Sequence, residues 1–318
     1  GEYSIQIDPR EIHEDTISLL RKLGFNRLSL GVQDFDPEVQ AAVNRFQSYE
    51  QTLAVIQEAR KNRFKSINID LIYGLPKQSV ARFKKTIQHI IDIDPDRIAI
   101  YNYAHLPHLF KPQRQINEAD LPAAASKLEI LEQAISSLTA AGYVYIGMDH
   151  FAKPDDELAI AQRKGTLHRN FQGYSSNANC DVIGLGVTAI SKIGNSYSQN
   201  TRDLEDYHCA LEKQRIPIQR GYSLDADDDL RRHVISQLIC HFAIDFAEFE
   251  DLFKIEFKHY FKNEIELLGP MQKDKLLQIH ADKIEIYPKG RFLIRNICAV
   301  FDKYLSKENE SRHFSRMI

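Results

Sequence analysis

Polar side chains recur near the ends of strand-like segments in the first half of this 318-residue chain. Gln33 and Asp70 lie at or near the ends of two such segments, Asn102–Ala104 follows a third, and Arg45 comes soon after Gln33. An amide, a carboxylate and a guanidinium together suit a zwitterionic, nucleoside-like ligand, because Arg pairs with a carboxylate while Asp accepts from hydroxyl or ammonium groups. A surface ion pair is the alternative interpretation of Arg45.

Histidines and carboxylates offer a second kind of chemistry, a hydrolytic metal site. His105, His108 and the pair Asp149–His150 could ligate a metal ion alongside Asp8 and Asp70. A proline separates the first two histidines, so they lie in a loop and do not share a helix face. We therefore expect histidines that are hydrogen-bonded or that face a substrate, and we keep a metal-dependent barrel hydrolase as an alternative function.

The cysteines do not form a metal or redox motif. They stand at Cys180, Cys209, Cys240 and Cys298, separated by 29, 31 and 58 positions. Iron–sulfur, thioredoxin and zinc-finger motifs require much closer spacing. The sequence therefore predicts buried, reduced thiols in a cytoplasmic protein.

Strand and helix patterns alternate along the first half of the chain. The predicted strands cover residues 3–7, 28–33, 67–73, 97–103 and 143–148, with amphipathic helices between most of them. A capping box at Ser48 and Gln51 opens one of these helices. Repeated strand–helix units predict parallel strands with crossover helices.

The first three strands have one apolar and one polar face. The polar set is Ser4, Gln6, Asp8, Ser29, Gly31, Gln33, Asn68 and Asp70. A flat sheet with helices on both faces would bury each unsatisfied polar group at a cost of about 1–3 kcal/mol. We therefore predict an incomplete parallel β/α barrel whose polar interior meets a ligand at the strands' carboxyl ends. An internal hydrogen-bond network is the alternative explanation.

Three regions are predicted: the barrel over residues 1–170, a loop-rich connecting segment that lines the active site over 171–225, and a helical, winged-helix-like domain over 226–318. The last region carries 15 Lys and Arg against 16 Asp and Glu, and the whole chain has a formal charge of −3. No basic stripe or long apolar run indicates nucleic acid or a membrane as a partner. We expect the helical domain to cover the substrate.

Several segments together resemble the oxygen-independent coproporphyrinogen III oxidases, a radical S-adenosylmethionine (SAM) family. They are GFNRLSLGVQDFDPEVQAAVNR, INIDLIYGLPKQ, YNYAHLPHLFKPQRQI, YIGMDHFAKPDDELAIAQRKGTLHRNFQGY, LIRNICAVFDKYL and FSRMI. The likeness runs from about Tyr3 to Ile318. It implies that two propionates of coproporphyrinogen III become vinyl groups through a 5′-deoxyadenosyl radical, giving protoporphyrinogen IX.

The resemblance also implies cofactors, partners and site residues. The family binds two SAM molecules and a 4Fe–4S cluster, uses an external electron donor and acceptor, and is expected to be monomeric. Motif matches assign SAM contacts to Gln6, Gln33, Arg45, Asp70, Ala104 and Ile190, and catalytic positions over the site to Phe171 and Gln172. The substrate's propionates need cations, for which Arg114, Arg163 and Arg169 are candidates.

The chain departs from the family pattern in two ways. The motif C-x-x-x-C-x-x-C and the following GGGTP are absent. We expect both to belong to a leading segment, without which the chain is inactive. Gln6 stands where the family usually has Glu, so a contact to a ribose hydroxyl survives while one to an ammonium group weakens. A haem-chaperone-like paralogue that binds haem without oxidase activity is a further alternative.

Overall fold

A computed structural model describes residues 1–177 and 180–305. Its internal contacts divide the chain into two compact units: unit 1 is Gly1–Ile160, and unit 2 begins at Ala161. The FSRMI segment and the end of the predicted region 226–318 lie outside the described residues. The three-part division made from the sequence stays a prediction.

Unit 1 alternates strands and helices, as the sequence pattern predicts. Its strands are β1 (Ser4–Ile7), β2 (Arg27–Gln33), β3 (Ser66–Tyr73), β4 (Arg97–Asn102), β5 (Val144–Gly147) and β6 (His150–Ala152). Its helices are α1 (Thr16–Lys22), α2 (Pro37–Ala42), α3 (Tyr49–Lys61), α4 (Val80–Ile93) and α5 (Ala124–Ala140). Two short 3-10 turns, Lys111–Gln115 and Glu118–Asp120, precede α5. Helix α6 (Glu157–Arg163) contains the boundary between the units.

The six strands form one sheet in the order β1-β2-β3-β4-β6-β5. Strands β1 to β4 are parallel, which confirms the predicted crossover units. Three of these helices begin where a side chain accepts from a free backbone N–H: Asp36 caps α2, Ser48 caps α3 and Ser79 caps α4. The caps of α2 and α4 fix the points at which helices begin after β2 and β3.

One edge of the sheet differs from the expected parallel arrangement. Strand β6 pairs antiparallel with both β4 and β5, so the segment after α5 is a hairpin and not one more parallel strand. The tight connection is possible because Met148 adopts a left-handed φ of 50° beside Gly147 at 136°. A three-residue strand is too short to be recognised from sequence periodicity.

The two faces of the parallel strands have the predicted characters. Leu28, Leu30, Ile67 and Ile69 are at most 2% exposed and form the core beneath the helices. The opposite face carries the polar set, whose members hydrogen-bond with one another as described below. The described residues contain no helix long and apolar enough to span a bilayer.

Unit 2 combines small antiparallel sheets with a helical portion. Its strands are β7 (His168–Asn170), β8 (Gly173–Ser175), β9 (Ile190–Ile193), β10 (Ser196–Asn200), β11 (Ile218–Ser223), β12 (Ala243–Asp245), β13 (Leu277–Ile279) and β14 (Lys283–Ile286). Its helices are α7 (Leu204–Glu212), α8 (Ala226–His241), α9 (Phe246–Phe253), α10 (Phe257–Tyr260), α11 (Lys262–Lys273), α12 (Pro288–Arg291) and α13 (Ile294–Ala299). Helices followed by the β13–β14 hairpin match the predicted winged-helix-like order.

Aromatic packing holds the helical portion of unit 2 together. The rings of Phe246 and Phe257 stack with centroids 4.4 Å apart, and Phe249 meets Phe257 edge-on at 5.1 Å. Phe249, Phe257, Phe261 and Phe301 have no exposed surface. Such pairs add about 0.5–1.5 kcal/mol beyond the burial of their area.

Candidate functional site

The end of β2 is distorted where the sequence places Gln33. The pairing of β2 with β3 shifts between Gly31 and Gln33, and Gln33 has a left-handed φ of 70°. A bulge of this kind turns a side chain away from the regular alternation of a strand and is common beside active sites. The distortion therefore sets the direction in which Gln33 leaves the sheet.

Arg45 lies against the same strand end, where Gly31 leaves room for it. A Cβ on Gly31 would lie 3.0 Å from Gln33 Nε2 and 3.5 Å from Arg45 Nη2. Arg45 Nη2 donates to the Gly31 carbonyl at 2.7 Å, and Nη1 donates to Asp8 Oδ2 at 3.1 Å. Arg10 donates to the same Asp8 carboxylate, and chiefly this hydrogen bond lowers the pKa of Asp8 to about 2. Arg45 therefore belongs to an ion-pair cluster, which was the alternative interpretation of its sequence position.

Asp70 is the centre of a hydrogen-bond network on the polar face of the sheet. Its carboxylate accepts from Gln6 Nε2 at 2.8 Å, Ser29 Oγ at 3.0 Å and Asn68 Nδ2 at 2.8 Å. Burial raises the pKa of Asp70, against the opposite effect of its hydrogen-bond donors. The sequence-predicted residues Gln6 and Asp70 are thus in direct contact, and the polar face has the internal hydrogen bonds that were the alternative to a ligand-lined interior.

Gln33 and Arg45 open into a cleft at the carboxyl ends of β2 and β3, here called the unit-1 cleft. Its volume is about 490 Å³, and Tyr103 and Gln113 are among its other lining residues. Around the cleft, two buried polar atoms have no hydrogen-bond partner among the described residues: Nε of Arg45, which lines the cleft, and Oδ1 of Asn102, at the end of β4. A donor for a carboxylate and an acceptor for a hydroxyl or amino group at the strand ends fit the groups of SAM.

Ala104 contributes its main chain to this region. The Ala104 carbonyl accepts from Gln113 Nε2 at 3.0 Å, while Gln113 Oε1 accepts from the amide of Leu106 at 2.5 Å. Gln113, which lines the unit-1 cleft, therefore fixes the loop that follows β4. The sequence analysis did not single out Gln113, because its contacts depend on the path of an irregular loop.

Asp34 was also missed from sequence, although it supports the position of Gln33. It is 2% exposed and accepts from Thr86 Oγ1 and Gln78 Nε2, each at 2.5 Å. Its Oδ1 also accepts from the amide of Asp36 at 2.9 Å. Burial raises its pKa. The Gln78 of the GLPKQ stretch thus fixes the residue next to Gln33.

The remaining predicted site residues belong to unit 2. Phe171 is exposed and meets the ring of Tyr197 edge-on, with centroids 5.1 Å apart. Gln172 is exposed, and its backbone N–H donates to Asn170 Oδ1 at 2.9 Å. Ile190 begins β9 and is half-buried. Their assignment as site residues stays a prediction.

The three arginines suggested for propionates lie in different surroundings. Arg114 is exposed on a 3-10 turn of unit 1, where its Nε donates to the Pro107 carbonyl at 2.9 Å. Arg163 is exposed at the end of α6. Of the three, Arg169 lines a large cavity, and its guanidinium lies 4.8 Å from the centroid of the Tyr174 ring.

The histidines and carboxylates considered for a hydrolytic metal do not assemble into a site. Across the described residues, no group of three or more His, Cys, Asp or Glu side chains could hold a metal ion. His105 instead lies 3.1 Å from the Tyr103 hydroxyl and 3.5 Å from Glu118. No observation on these residues favours the hydrolase alternative.

Comparisons with known families agree with this arrangement. The Radical SAM superfamily matches residues 1–90, and the HemN C-terminal domain matches residues 224–293. Membership of the radical SAM group implies SAM and a 4Fe–4S cluster as cofactors. The polar groups at the sheet's carboxyl edge fit SAM. The four cysteines do not fit a cluster, because each is a free thiol and the described residues bring no three metal ligands together.

Similarity to individual proteins extends over the whole chain. Oxygen-independent coproporphyrinogen III oxidase from Pseudomonas aeruginosa is 52% identical over all of this chain and 69% of its own length. The protein of that name from Escherichia coli K12 is 50% identical over 70% of its length, and that from Thermostichus vulcanus is 47% identical over 98%. A solved structure of the Escherichia coli enzyme, described as a radical SAM enzyme, matches 96% of this chain and 70% of its own, with a TM-score of 0.93. This chain belongs to the oxygen-independent coproporphyrinogen III oxidase family.

Proposed function

We propose that this chain binds SAM and coproporphyrinogen III for the oxygen-independent conversion of two propionates to vinyl groups. In each conversion a hydrogen atom leaves the β-carbon of a propionate, and loss of CO2 and one electron then gives the vinyl group. SAM, when bound, supplies the radical that removes this hydrogen. The observation that carries the proposal is the convergence of two motif-matched residues, Gln33 and Arg45, on one cleft at the strand ends.

The residues of the unit-1 cleft would bind and orient SAM. The unpartnered Nε of Arg45 would donate to the SAM carboxylate, and the Gln33 amide would bind a polar group of the same ligand. Asp70 and Gln6 would contact SAM hydroxyls through acceptor positions left by their own network. Phe171, Gln172, Ile190 and the Ala104 main chain complete the proposed set.

The reaction also requires partners that this chain does not contain. An external reductant must start the cleavage of SAM, and an acceptor must take the final electron from the substrate. We propose that the reaction takes place in the cytoplasm and that the protein is a monomer.

Binding of SAM to the 318-residue chain tests the assignment of the unit-1 cleft. We expect Gln33→Ala and Arg45→Gln each to weaken SAM binding about tenfold, because a hydrogen bond to a charged group contributes about 1.5–3 kcal/mol. Equilibrium dialysis with labelled SAM measures the affinity. Gln57→Ala, at an exposed position of α3, is the matched control. Equal affinity in all four proteins would remove these residues from the site.

Turnover is tested with a segment that carries the motif C-x-x-x-C-x-x-C joined ahead of Gly1. Anaerobic incubation with coproporphyrinogen III, SAM and a reductant should release two CO2 per protoporphyrinogen formed. Tight binding of haem without CO2 release would instead support the haem-chaperone alternative and contradict the proposed oxidation.

A further inference from the structure

A large cleft lies wholly within unit 2. It has a volume of about 750 Å³ and is here called the unit-2 cleft. One wall is the segment that contains β7, from Gly165 to Phe171, and another is a single face of α8 that contains Arg232. Lys192 of β9 and Tyr197 of β10 close a third side. Clefts of this size accommodate small-molecule ligands or parts of larger ones.

The charged side chains of the unit-2 cleft have an excess of positive charge. Of the described lining residues, Arg169, Lys192 and Arg232 are cationic and Asp229 is the one carboxylate. Arg232 Nη2 is already paired with Asp229 Oδ1 at 2.8 Å. Two cations therefore remain without an acidic partner, and the cleft attracts anions.

Arg169 and Lys192 are available to a ligand. Arg169 has a buried Nη1 without a hydrogen-bond partner, while its guanidinium stacks over the ring of Tyr174. Within residues 1–177 and 180–305, neither Arg169 nor Lys192 forms an ion pair with a carboxylate. A buried guanidinium N–H without an acceptor costs free energy that an incoming carboxylate would recover.

Three histidines strengthen this environment. His168, His233 and His241 line the cleft, and burial is the main reason that each has a lowered pKa. The positive charges of Lys192 and Arg232 lower the pKa of His168 further. A neutral imidazole can donate one hydrogen bond to a carboxylate without adding another charge to be desolvated.

Apolar and aromatic side chains also line the cleft, beside the uncharged polar residues Thr166, Asn170, Ser236 and Gln237. Leu167 and Phe253 are two of them, and the exposed ring of Phe171 meets Tyr197 edge-on. A simple inorganic anion would leave the apolar and aromatic side chains of the cleft exposed to water. A ligand that carries several carboxylates on an apolar framework would satisfy both parts of the lining.

We propose that the unit-2 cleft binds carboxylate groups of a large polycarboxylate, with Arg169 and Lys192 as the principal contacts and Arg232 as a supporting one. Given the proposed function, on which this identification of the ligand rests, the carboxylates are propionates of coproporphyrinogen III. Of the arginines suggested from sequence, the geometry favours Arg169 over Arg114 and Arg163, and it adds two cations that sequence did not indicate.

Coproporphyrin III, the stable fluorescent tetracarboxylate, is the probe. Its affinity for the 318-residue chain is measured by fluorescence at pH 7.5 and constant ionic strength. We expect Arg169→Gln with Lys192→Gln to weaken binding at least tenfold. The matched control is Arg215→Gln with Lys213→Gln, which removes the same charges from exposed positions outside the cleft. Circular dichroism establishes that each variant is folded.

Two further arms separate the sources of binding. Protoporphyrin IX, with two carboxylates, should bind less tightly than coproporphyrin III and should lose less affinity in the cleft variant. Inorganic phosphate should compete no better than acetate, and preferential competition by phosphate would overturn the assignment to carboxylates.

Normal coproporphyrin binding by the cleft variant would overturn the inference but leave the proposed function intact. An unaltered chain that binds SAM but no coproporphyrin would count against the substrate of the proposed function.

Discussion

At the scale of single residues, Gln6 contacts Asp70 at a position where the resemblance to the family leads us to expect Glu. The Gln6 amide donates to a carboxylate whose pKa is already raised by burial. A Glu at this position would place a second carboxylate within hydrogen-bond distance of Asp70. The two could share a site only if one of them kept a proton. Gln6 therefore lets Asp70 remain a hydrogen-bond acceptor without repulsion from a neighbour.

Gln6→Glu is expected to make stability more dependent on pH. Mutual repulsion raises the folded-state pKa of the carboxyl pair above its unfolded value near 4, so the folded state binds the extra proton more readily. Stability is then lost, relative to the unaltered chain, as pH rises from about 4 to 7. A tenfold change in the pair's proton affinity corresponds to a loss of about 1.4 kcal/mol. Urea unfolding at both pH values measures the difference.

The matched control for this prediction is Gln57→Glu on the exposed side of α3. It introduces the same charge away from Asp70 and should change stability little at either pH. A Gln6→Glu variant with the same pH dependence as this control would show that the Gln6–Asp70 contact is not maintained in solution.

At the scale of elements, the sequence predicted the regular strands and helices better than the tertiary contacts that hold the site residues in place. Alternating apolar residues mark β2 and β3 because one face of each strand is buried, and the strand ends directed attention to Gln33 and Asp70. In the sequence, Asp34 looks like an ordinary polar residue after β2, because its hydrogen-bond partners Gln78 and Thr86 lie 44 and 52 positions away. Two of the three cations of the unit-2 cleft, Lys192 and Arg232, were missed for the same reason, because only tertiary packing brings them to one cleft with Arg169.

A close approach between two elements of unit 2 gives a prediction about stability. A Cβ on Gly290 of α12 would lie 2.0 Å from the carbonyl oxygen of Leu276, which precedes β13. Gly290→Ala must therefore separate these segments, and we expect a loss of about 2 kcal/mol or more, within the range for overpacked sites. Chemical unfolding followed by circular dichroism measures the loss.

Gly269→Ala is the contrasting control. Gly269 lies within α11, where a Cβ would meet no atom within 4 Å apart from its chain neighbours. Pro270 follows it and disfavours helical backbone for a residue with a Cβ, which offsets the gain in helix propensity, so we expect Gly269→Ala to change stability by less than about 1 kcal/mol. A Gly290→Ala variant that lost no more stability than Gly269→Ala would show that the contact with Leu276 does not limit position 290.

At the scale of the whole molecule, all four thiols belong to unit 2 and none to unit 1. The prediction of buried thiols is wrong for Cys180 and Cys209, which are exposed, whereas Cys240 and Cys298 are buried. Burial raises the pKa of Cys240 to about 12 and also raises that of Cys298. Since the thiolate is the reactive form, reactivity divides the cysteines into two classes.

We expect a thiol reagent at pH 8 to modify Cys180 and Cys209 rapidly and the other two only after unfolding. Peptide mass spectrometry at successive denaturant concentrations identifies the modified residues. A Cys180→Ser and Cys209→Ser double variant should lose the rapid phase and keep the slow one. Rapid modification of Cys240 in the folded protein would contradict the buried packing of α8.

The left-handed conformation at Gln33 has a consequence for how this position can vary. Its backbone requires a φ that Gly and Asn adopt readily and β-branched residues do not. Its side chain is proposed to bind a ligand, which restricts the residue type independently of the backbone. In a saturation library, selection for solubility alone would retain Gln33→Gly and Gln33→Asn, while selection for ligand binding would discard Gln33→Gly. Position 33 is thus subject to two constraints, one on its backbone conformation and one on ligand binding, and the two selections test them separately.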